Sequence, residues 1–559
     1  MKLGRCAYFV IAALVALEVG CAAPAAAPTK SSEQTPGPPN RTLVLIRRSE
    51  PTTSAIKGIP FTESDSRITY FDAGLTYVGD QDIAYPYLAT ELPRLNTDSW
   101  KVMPDGRMET TYRLKPAAVW HDGTPLSAED FAFAGRVYAT VEFGWSKSDP
   151  MGQIEEVRAS DPATVVIRWR RPFPDADRVT ATGLPPLPKH ILQDPFERAP
   201  EAFQNLDFWR NQYVGLGPWR LDRWEQGAFV EGVAFDRHVL GRPKIDRLKL
   251  IWNSDSNAVL STLLAGEAQL SEAFAIFPEQ GAVLKQQGWA GTVLAVPNSW
   301  RKIDVQVRPE FVNPRALLDV RVRRAFAHAI DRNPIIEAIY LGESIVTDTS
   351  VFPTDSYYQE AQKVIARYPY DLRKTEQLMS EAGFTKGPDG VYVSSTDGRI
   401  SVELRANQPD SLIKEASIIA GNWRQAGFEA SERAAAAPEA ANSQFRGSFP
   451  SFYAGTGGVF SAYTKSEVSS PLNNWVGRNR GGWSSPDFDR FYEIFALNLD
   501  RSARDKAAVE MARIQSEEVP SISLVYLVSS IAIGKGLSGP APWGAGSSLT
   551  WNMYLWEWK

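Results

Sequence analysis

Cysteine and histidine are scarce in this chain of 559 residues. The two cysteines, Cys6 and Cys21, both lie near the N-terminus, which excludes a disulfide framework in the body of the chain. The four histidines are scattered singly, and none of the Cys/His spacings typical of a zinc or iron site occurs. We therefore expect no metal site and no cofactor.

Long apolar runs and blocks of positive charge are also missing. After the N-terminal region no segment has the roughly 18 uninterrupted apolar residues that a membrane-spanning helix needs. The formal net charge is -5, and without a basic run nucleic-acid binding has little support. The hydrophobic fraction of 43% argues against general disorder. The length predicts at least two lobes, because a single core rarely exceeds about 250–300 residues.

The first twenty residues have the pattern of a targeting segment. Lys2 and Arg5 precede an apolar stretch over 7–17 that is too short to cross a bilayer. Gly20 stands directly before Cys21, which looks like a lipoprotein cleavage site where the cysteine is acylated. We predict a signal peptide over 1–20 and a lipid-anchored, Ala/Pro-rich tether over 21–40. An ordinary signal peptide cut nearby is the alternative.

Strand and helix signals are mixed after the tether. Period-two alternation predicts a strand over 108–114, and a second strand is predicted over Thr164–Trp169. Ser127 and Asp130 form the pattern of a helix capping box. Apolar residues at helical spacing after Asp319 predict the strongest helix. Because strands and helices mix throughout, we expect the α/β class, with mixed α+β sheets.

Several separated segments of the chain have distinctive motifs. The most specific segment is 319–332, which reads Asp-Val-Arg-Val-Arg-Arg-Ala-Phe and continues to Ala-Ile-Asp-Arg. Another contains the turn Trp-His-Asp-Gly-Thr-Pro over 120–125. Further segments are 187–192, 215–227, 483–489 and 517–520. Together and in this order, these segments resemble the solute-binding protein family 5, which contains the oligopeptide-, dipeptide- and nickel-binding proteins of bacterial ABC importers. The similarity extends from about residue 42 to the C-terminus.

The resemblance implies a two-lobed, periplasmic-binding-protein-like fold of the class II type, in which the lobes close over a ligand around a hinge of two crossing segments. It places the first lobe at 41–299 with an extra subdomain at about 76–209, the second lobe at 300–510, and a C-terminal return to the first lobe at 511–559. It implies capture of a peptide-like or other extended polar ligand and delivery to ABC permease subunits with cytoplasmic ATPases. We expect a monomer without enzymatic activity, on the outer face of a membrane and held there by its lipid alone.

Three places in the chain are candidates for ligand contact on the strength of the resemblance. One is the hinge, a second is the segment 452–463 in the place of the family's cleft-lining strand, and a third is the donor-rich loop that follows it. The candidate residues are Trp300, Arg301, Gly457, Gly458, Phe460, Tyr463, Asn474, Trp475 and Arg478. The two glycines are expected to leave backbone N–H groups open. The structural alternatives are a core position for Trp300, a surface charge for Arg301 and a solvated loop around 475.

The cleft-lining segment lacks a carboxylate. Peptide binders of the family usually carry an acidic residue there for the peptide amino terminus, but none occurs between Phe449 and Lys465. An unpaired ammonium buried in a closed cleft costs several kcal/mol. We therefore predict weak binding of short free-amino peptides, unless Asp304 or Glu467 supplies the carboxylate. A saccharide, a blocked peptide or a longer peptide with its terminus outside the cleft would fit.

Other functions have weaker signals. Ser411 and Lys414 match the Ser-x-x-Lys motif of penicillin-recognising enzymes, but the companion motifs are absent. The adjacent acids at 155–156 and 517–518 diverge in a strand or helix, so they do not form a glycosidase pair. The sparse histidines disfavour nickel as the ligand. An oligosaccharide-binding protein of the same fold, and a ligand sensor or envelope chaperone without transport, stay open as alternatives.

Overall fold

The computed structural model describes residues 42–57, 69–80, 82–407, 410–541 and 548–559. The predicted signal peptide, Cys21 and the tether lie outside these residues. Among the residues described, no helix is long and apolar enough to cross a membrane.

Strands and helices are mixed along the described chain. The strands, numbered in chain order, are β1 Thr42–Arg47, β2 Thr76–Val78, β3 Ala84–Pro86, β4 Trp100–Val102, β5 Met108–Arg113, β6 Ile154–Asp161, β7 Thr164–Trp169, β8 Trp219–Glu225, β9 Phe229–Ala234, β10 Arg247–Trp252, β11 Leu270–Ser271, β12 Thr292–Val305, β13 Thr385–Lys386, β14 Tyr392–Ser394, β15 Gly398–Arg399, β16 Ser401–Ala406, β17 Glu429–Ala434, β18 Phe452–Thr456, β19 Ser521–Ile533, β20 Leu537–Ser538 and β21 Glu557–Trp558. The helices are α1 Ala128–Ala139, α2 Lys189–Arg198, α3 Pro200–Phe203, α4 Ser256–Leu264, α5 Pro278–Gln286, α6 Val320–His328, α7 Asn333–Tyr340, α8 Tyr358–Val364, α9 Leu372–Glu381, α10 Asp410–Ala426, α11 Ala437–Ala441, α12 Ser443–Gly447, α13 Pro486–Leu497 and α14 Arg501–Glu518.

One mixed sheet runs through the whole molecule. Its ten strands follow the order β17-β16-β18-β12-β19-β11-β1-β10-β9-β8. The strand β1 is parallel to β10 and β11, and β16 is parallel to β17 and β18, whereas the other pairs are antiparallel. A separate four-stranded antiparallel sheet has the order β4-β5-β7-β6. This combination of helices with mixed sheets confirms the predicted α/β class.

Two large hydrophobic cores divide the molecule into two lobes. The first core takes side chains from β1, the four-stranded sheet and α1, and the second takes them from α6, α9, α10 and β16. The long strands β12 and β19 contribute to both cores. Val296 and Ile531 pack in the first core, and Ile303 and Ile522 pack in the second. These two paired strands therefore connect the lobes, as the resemblance to family 5 implied.

The local predictions agree closely with these elements. The strand β7 has the predicted bounds, and Ser127 caps α1 while the Asp130 carboxylate accepts from the Ser127 N–H at 2.9 Å, which completes the capping box. Asp319 caps α6, whose apolar side chains are buried. Arg323 on the same helix is also buried. Its guanidinium donates to the carbonyl groups of Leu317 and Glu518, so this buried group has hydrogen-bond partners.

Candidate ligand-binding crevice

The carboxyl ends of three parallel strands of the first lobe point toward the second lobe. The strand β11 is antiparallel to β19, with Leu270 opposite Ile533 and Ile276 opposite Ser530. Since β19 runs from the second core to the first, β11 runs the other way and its carboxyl end faces the second lobe. The parallel strands β1 and β10 have the same direction.

In the second lobe, the carboxyl ends of three parallel strands point back toward the first lobe. The strand β18 is antiparallel to β12, with Phe452 opposite Val305 and Thr456 opposite Arg301. Because β12 enters the second lobe from the first, the carboxyl end of β18 faces the first lobe, as do those of β16 and β17. Open sheets bind ligands outside the carboxyl ends of parallel strands. The region between the two sets of strand ends, which we call the crevice, is therefore the candidate site.

The crossing strands β12 and β19 are irregular where they pass the crevice. Their pairing shifts register between Pro297 and Ser299 and again between Trp300 and Lys302. Such irregularities interrupt a hydrogen-bond ladder and bend the strand locally. The candidate hinge residue Trp300 thus lies between two breaks of the ladder that joins the lobes.

Trp300 is buried at this crossing point. Its side chain is 2% exposed and its ring centroid lies 5.4 Å from that of Phe352. The indole Nε1 is buried and has no hydrogen-bond partner in the described part of the chain. A buried donor without an acceptor costs about 1–3 kcal/mol, which makes this atom a candidate for contact with a ligand acceptor.

Gly457, just after β18, packs directly on Trp300. A Cβ atom at this position would lie 1.9 Å from Cε2 of the Trp300 ring, so only glycine fits. The Gly457 N–H donates to the Trp300 carbonyl oxygen at 2.7 Å. This N–H is thus already used, contrary to the expectation that both glycines leave open donors. Gly458 follows and is half-buried.

Arg301 is enclosed in the second lobe and has a partner there. Its guanidinium, 1% exposed, is paired with the fully buried Glu415 carboxylate of α10 at 2.8 Å and donates through both Nε and Nη2. This geometry rules out the surface-charge alternative, and the structure gives the side chain a role in joining β12 to α10. The sequence hid this role because the partner lies 114 residues further along the chain.

The aromatic candidates that follow β18 lie in a third hydrophobic core. Phe460 contacts the rings of Phe488 and Phe495, and Tyr463 bonds the Ser521 hydroxyl at 3.0 Å. Both side chains are buried, at 7% and 3% exposure. Their observed contacts are therefore with the protein interior, and no described contact directs them into the crevice.

The donor-rich loop is held in place by Arg308. This buried side chain donates to the carbonyl groups of Ser469 and Arg480, and its guanidinium carbon lies 5.7 Å from the centroid of the Trp475 ring. Asn474 is exposed and has a φ of 52°. The loop is thus ordered by contacts that the sequence did not reveal, and it presents Asn474 at its surface.

The two carboxylates named as possible partners of a peptide ammonium are both already paired. Asp304 accepts from Lys302 Nζ at 2.6 Å, and Glu467 pairs with Arg478 at 3.1 Å. The candidate residue Arg478 therefore has two partners within the protein, because it pairs with Glu467 and its Nη2 also donates to the Ser461 hydroxyl at 2.8 Å.

Asp355 is an acidic residue of the second lobe that the sequence reading missed. Burial raises the pKa of its carboxyl group to about 6, and the charges of Asp82 in the first lobe and Asp505 act in the same direction. Its oxygen accepts from the Phe352 N–H at 2.8 Å, next to the ring that contacts Trp300. No sequence motif marks this residue.

The first lobe contributes a polar network at the end of β11. Glu272 lies 3.5 Å from the Arg47 guanidinium and accepts a hydrogen bond from the Tyr70 hydroxyl. Burial and the Glu272 carboxylate raise the pKa of Tyr70 well above its usual value. Phe274 follows two residues later and is 37% exposed.

Direct side-chain contacts also connect the two lobes. Arg504 of α14 pairs with Asp175 of the first lobe at 3.4 Å, and Lys285 pairs with Glu343 at 2.5 Å. Leu499 packs against the first core. The lobes are thus in contact beyond the two crossing strands.

The described residues contain no cluster of three or more His, Cys, Asp or Glu side chains suited to a metal ion. The crevice is bordered by the carboxyl ends of parallel strands from both lobes.

Three relatives align with part of this chain. A Brucella ovis protein named for ABC-transporter peptide binding is 29% identical over 299 residues, which is 52% of this chain and 51% of that protein. The oligopeptide-binding protein AppA of Bacillus subtilis is 23% identical and covers 61% of each chain. The dipeptide-binding protein of Escherichia coli is 24% identical over 65% of this chain and 67% of its own. The chain thus spans about half the length of the Brucella relatives it matches.

Solved structures share the fold over nearly the whole chain. HbpA2 from Haemophilus parasuis superposes with a TM-score of 0.75 at 18% identity and covers 93% of this chain and 100% of its own. NikZ from Campylobacter jejuni, in complex with Ni(L-His), has a TM-score of 0.70 at 22% identity over 93% and 100%. An oligopeptide-binding protein from Thermus thermophilus, in complex with a pentapeptide, gives 0.68 at 22% over 93% and 97%.

The family model for bacterial extracellular solute-binding proteins, family 5 Middle, matches residues 92–469. This match spans more than half of the chain, and the two-lobed fold agrees with it. The resemblance found in the sequence motifs is therefore confirmed. The chain belongs to family 5 of the bacterial extracellular solute-binding proteins.

Proposed function

We propose that this protein is an extracytoplasmic solute-binding lipoprotein that captures an extended ligand between its two lobes and delivers it to an ABC importer. The observation that carries the proposal is the crevice itself, where strand ends of both lobes face each other across two irregular crossing strands. Such a site encloses a ligand by rotation of the lobes. In this function the protein binds and releases its ligand without chemical turnover.

The ligand class that we favour is a peptide. Relatives of this chain are named for binding oligopeptides, dipeptides and glutathione. A peptide supplies regularly spaced carbonyl and N–H groups that can bond to strand ends. Since Asp304 and Glu467 are both paired with cations, we favour N-blocked peptides or longer peptides whose amino terminus stays outside the crevice.

Among the candidate contact residues, the crossing point has the strongest support. The unpartnered Trp300 Nε1 would donate to a ligand carbonyl, and the backbone at Gly458 and the exposed Asn474 would provide further polar contacts. Gly457 would act by allowing the chain to pass close to Trp300. Arg301 would act indirectly, by fixing the position of β12.

We further propose that the hinge lies where β12 and β19 lose register, near the predicted lobe boundary at residue 300. We also propose the remaining predicted domain boundaries, a monomeric state and acylation of Cys21. Permease subunits with cytoplasmic ATPases would receive the ligand.

The Cys21→Ser substitution should release the protein from the membrane fraction, and retention there would contradict a lipid anchor.

The decisive experiment is identification of the ligand that co-purifies with the protein. Native mass spectrometry of the full chain should show a bound species whose fragmentation gives a peptide ladder. Small-angle scattering should show a smaller radius of gyration when that peptide is added to the stripped protein. A bound saccharide would overturn the peptide class but keep the capture mechanism, and an unchanged radius at saturation would contradict lobe closure.

A further inference from the structure

Phe274 has a backbone conformation that its side chain does not favour. Its φ is 66°, and the Ala275 N–H donates to the Glu272 carbonyl at 3.2 Å, so residues 272–275 form a turn with Phe274 in third position. Turns of type II require a positive φ at this position and therefore favour glycine or asparagine. A bulky residue there is a genuine outlier that calls for an explanation.

Packing does not explain why an aromatic residue is kept in this turn. Phe274 is 37% exposed, whereas the following Ala275 and Ile276 are fully buried and anchor the turn. Leu341 and Val519 also have positive φ, but each ends a helix, α7 and α14, where the left-handed conformation is common. Phe274 follows a strand, so the end of a helix does not account for its positive φ.

The turn lies at the crevice. It begins directly after β11, whose carboxyl end faces the second lobe, and Ile276 just beyond it pairs with Ser530 of the crossing strand β19. The first residue of the turn, Glu272, is fixed by Tyr70 and Arg47. Strained residues that are held in this way tend to occur at ligand sites.

We propose that Phe274 is a specificity-determining contact of the first lobe, which offers its ring to an apolar or aromatic side chain of the bound peptide. This inference rests on the proposed peptide-binding function. The exposed ring would be covered on ligand binding, and aromatic pairs prefer offset or edge-to-face contact. The polar network of Glu272 beside it would restrict the apolar contact to one position along the ligand.

The test compares Phe274→Gly with Leu341→Gly in the full chain. Both substitutions place glycine at a positive φ, so neither should lower the melting temperature of the ligand-free protein. The probes are N-acetylated alanine pentapeptides with one phenylalanine at each position in turn, and N-acetylated pentaalanine. Isothermal titration calorimetry gives the dissociation constants.

The unmodified protein and Leu341→Gly should bind one phenylalanine peptide about tenfold more tightly than pentaalanine. Phe274→Gly should reduce this preference to about twofold or less, and Phe274→Tyr should keep it. If Phe274→Gly retains the preference, the inference is wrong while peptide binding stands. Equal weakening for all peptides together with a lower melting temperature would make Phe274 structural and also overturn the inference. Absence of binding to every pentapeptide by the unmodified protein would overturn both the peptide proposal and this inference.

Discussion

Two buried charged groups of the first lobe are held differently from three buried ion pairs of the second lobe. In the first lobe, the Asp72 carboxylate accepts from the Tyr213 hydroxyl and the Ile56 N–H, and Lys57 Nζ donates to the carbonyl groups of Thr182 and Gly183. These partners are neutral. Burial raises the pKa of Asp72 to about 7 and lowers the pKa of Lys57 to about 7.

Three buried cations of the second lobe are paired with carboxylates: Arg301 with Glu415, Lys302 with Asp304, and Arg332 with Asp348. Two further buried cations of that lobe, Arg308 and Arg323, donate to backbone carbonyl groups. A buried ion becomes costly if its charged partner is removed. We therefore expect Asp72 and Lys57 to make stability depend on pH, whereas the three ion pairs should make it sensitive to the loss of one side chain.

Loss of the Glu415 charge should have the largest effect. Glu415→Gln keeps the volume of the side chain but leaves the Arg301 guanidinium buried without its counter-charge, which should cost about 3–5 kcal/mol of unfolding free energy. Urea unfolding followed by circular dichroism measures this loss. The matched control is Glu467→Gln, whose ion pair with Arg478 is exposed and should cost less than about 1 kcal/mol. Equal costs for the two variants would contradict the comparison.

The pH response of the first lobe should depend on Asp72. The pKa of this group is about 7 in the folded chain and near its ordinary 3.8 when unfolded, so the folded state binds more protons between these values. Its contribution to stability is therefore complete below about pH 4 and falls as pH rises toward 7, by up to about 1.4 kcal/mol per pH unit. Asp72→Asn should flatten this part of a stability profile measured by urea unfolding.

The control for Asp72 is Asp98→Asn, which changes a fully exposed carboxylate. Lys57 provides an opposite test, because its pKa is lowered and its contribution is lost as pH falls from about 10.5 toward 7. Lys57→Met should therefore remove a rise of stability above pH 7. A profile for Asp72→Asn that parallels the unmodified protein would show that the first lobe has no such response.

The crossing point should be sensitive to one methyl group. Gly457→Ala would place a Cβ against the Trp300 ring, which should cost about 1–3 kcal/mol of stability and reduce ligand affinity, because the ring must move. Gly455→Ala, two residues earlier in β18, is the matched control, since a Cβ there meets nothing within 4 Å. Thermal unfolding and calorimetric titration measure both effects. Similar results for the two variants would mean that the contact with Trp300 is unimportant.

The smallest effect is expected at the contact between the lobes. Arg504→Gln removes the 3.4 Å pair with Asp175, which is only partly buried. Since ion pairs at the surface contribute about 0–1 kcal/mol, the substitution should weaken ligand binding by a few-fold at most. Arg490→Gln, whose partner Asp487 lies on the same helix, should leave affinity unchanged. A tenfold loss in Arg504→Gln would show that the pair dominates lobe closure.

Short-range features of the fold could be predicted from the sequence, but many contacts of the site could not. The capping box of α1, the bounds of β7 and the start of α6 depend on neighbouring residues, so local patterns were sufficient. The family and its two lobes followed from motifs spread along the chain. The partner of Arg301 and the position of Asp355 depend on segments brought together only by folding, and no local pattern encodes them.

The continuity of the ten-stranded sheet has a dynamic consequence. Because β12 and β19 are paired through both lobes, the proposed rotation of the lobes would occur most easily where this pairing is irregular, between Pro297 and Lys302. Amide protons in regular parts of the two strands should exchange slowly with solvent, whereas those at the breaks should exchange through local opening. Hydrogen exchange at these few amides would then report the opening and closing of the molecule directly, and a bound ligand should slow it.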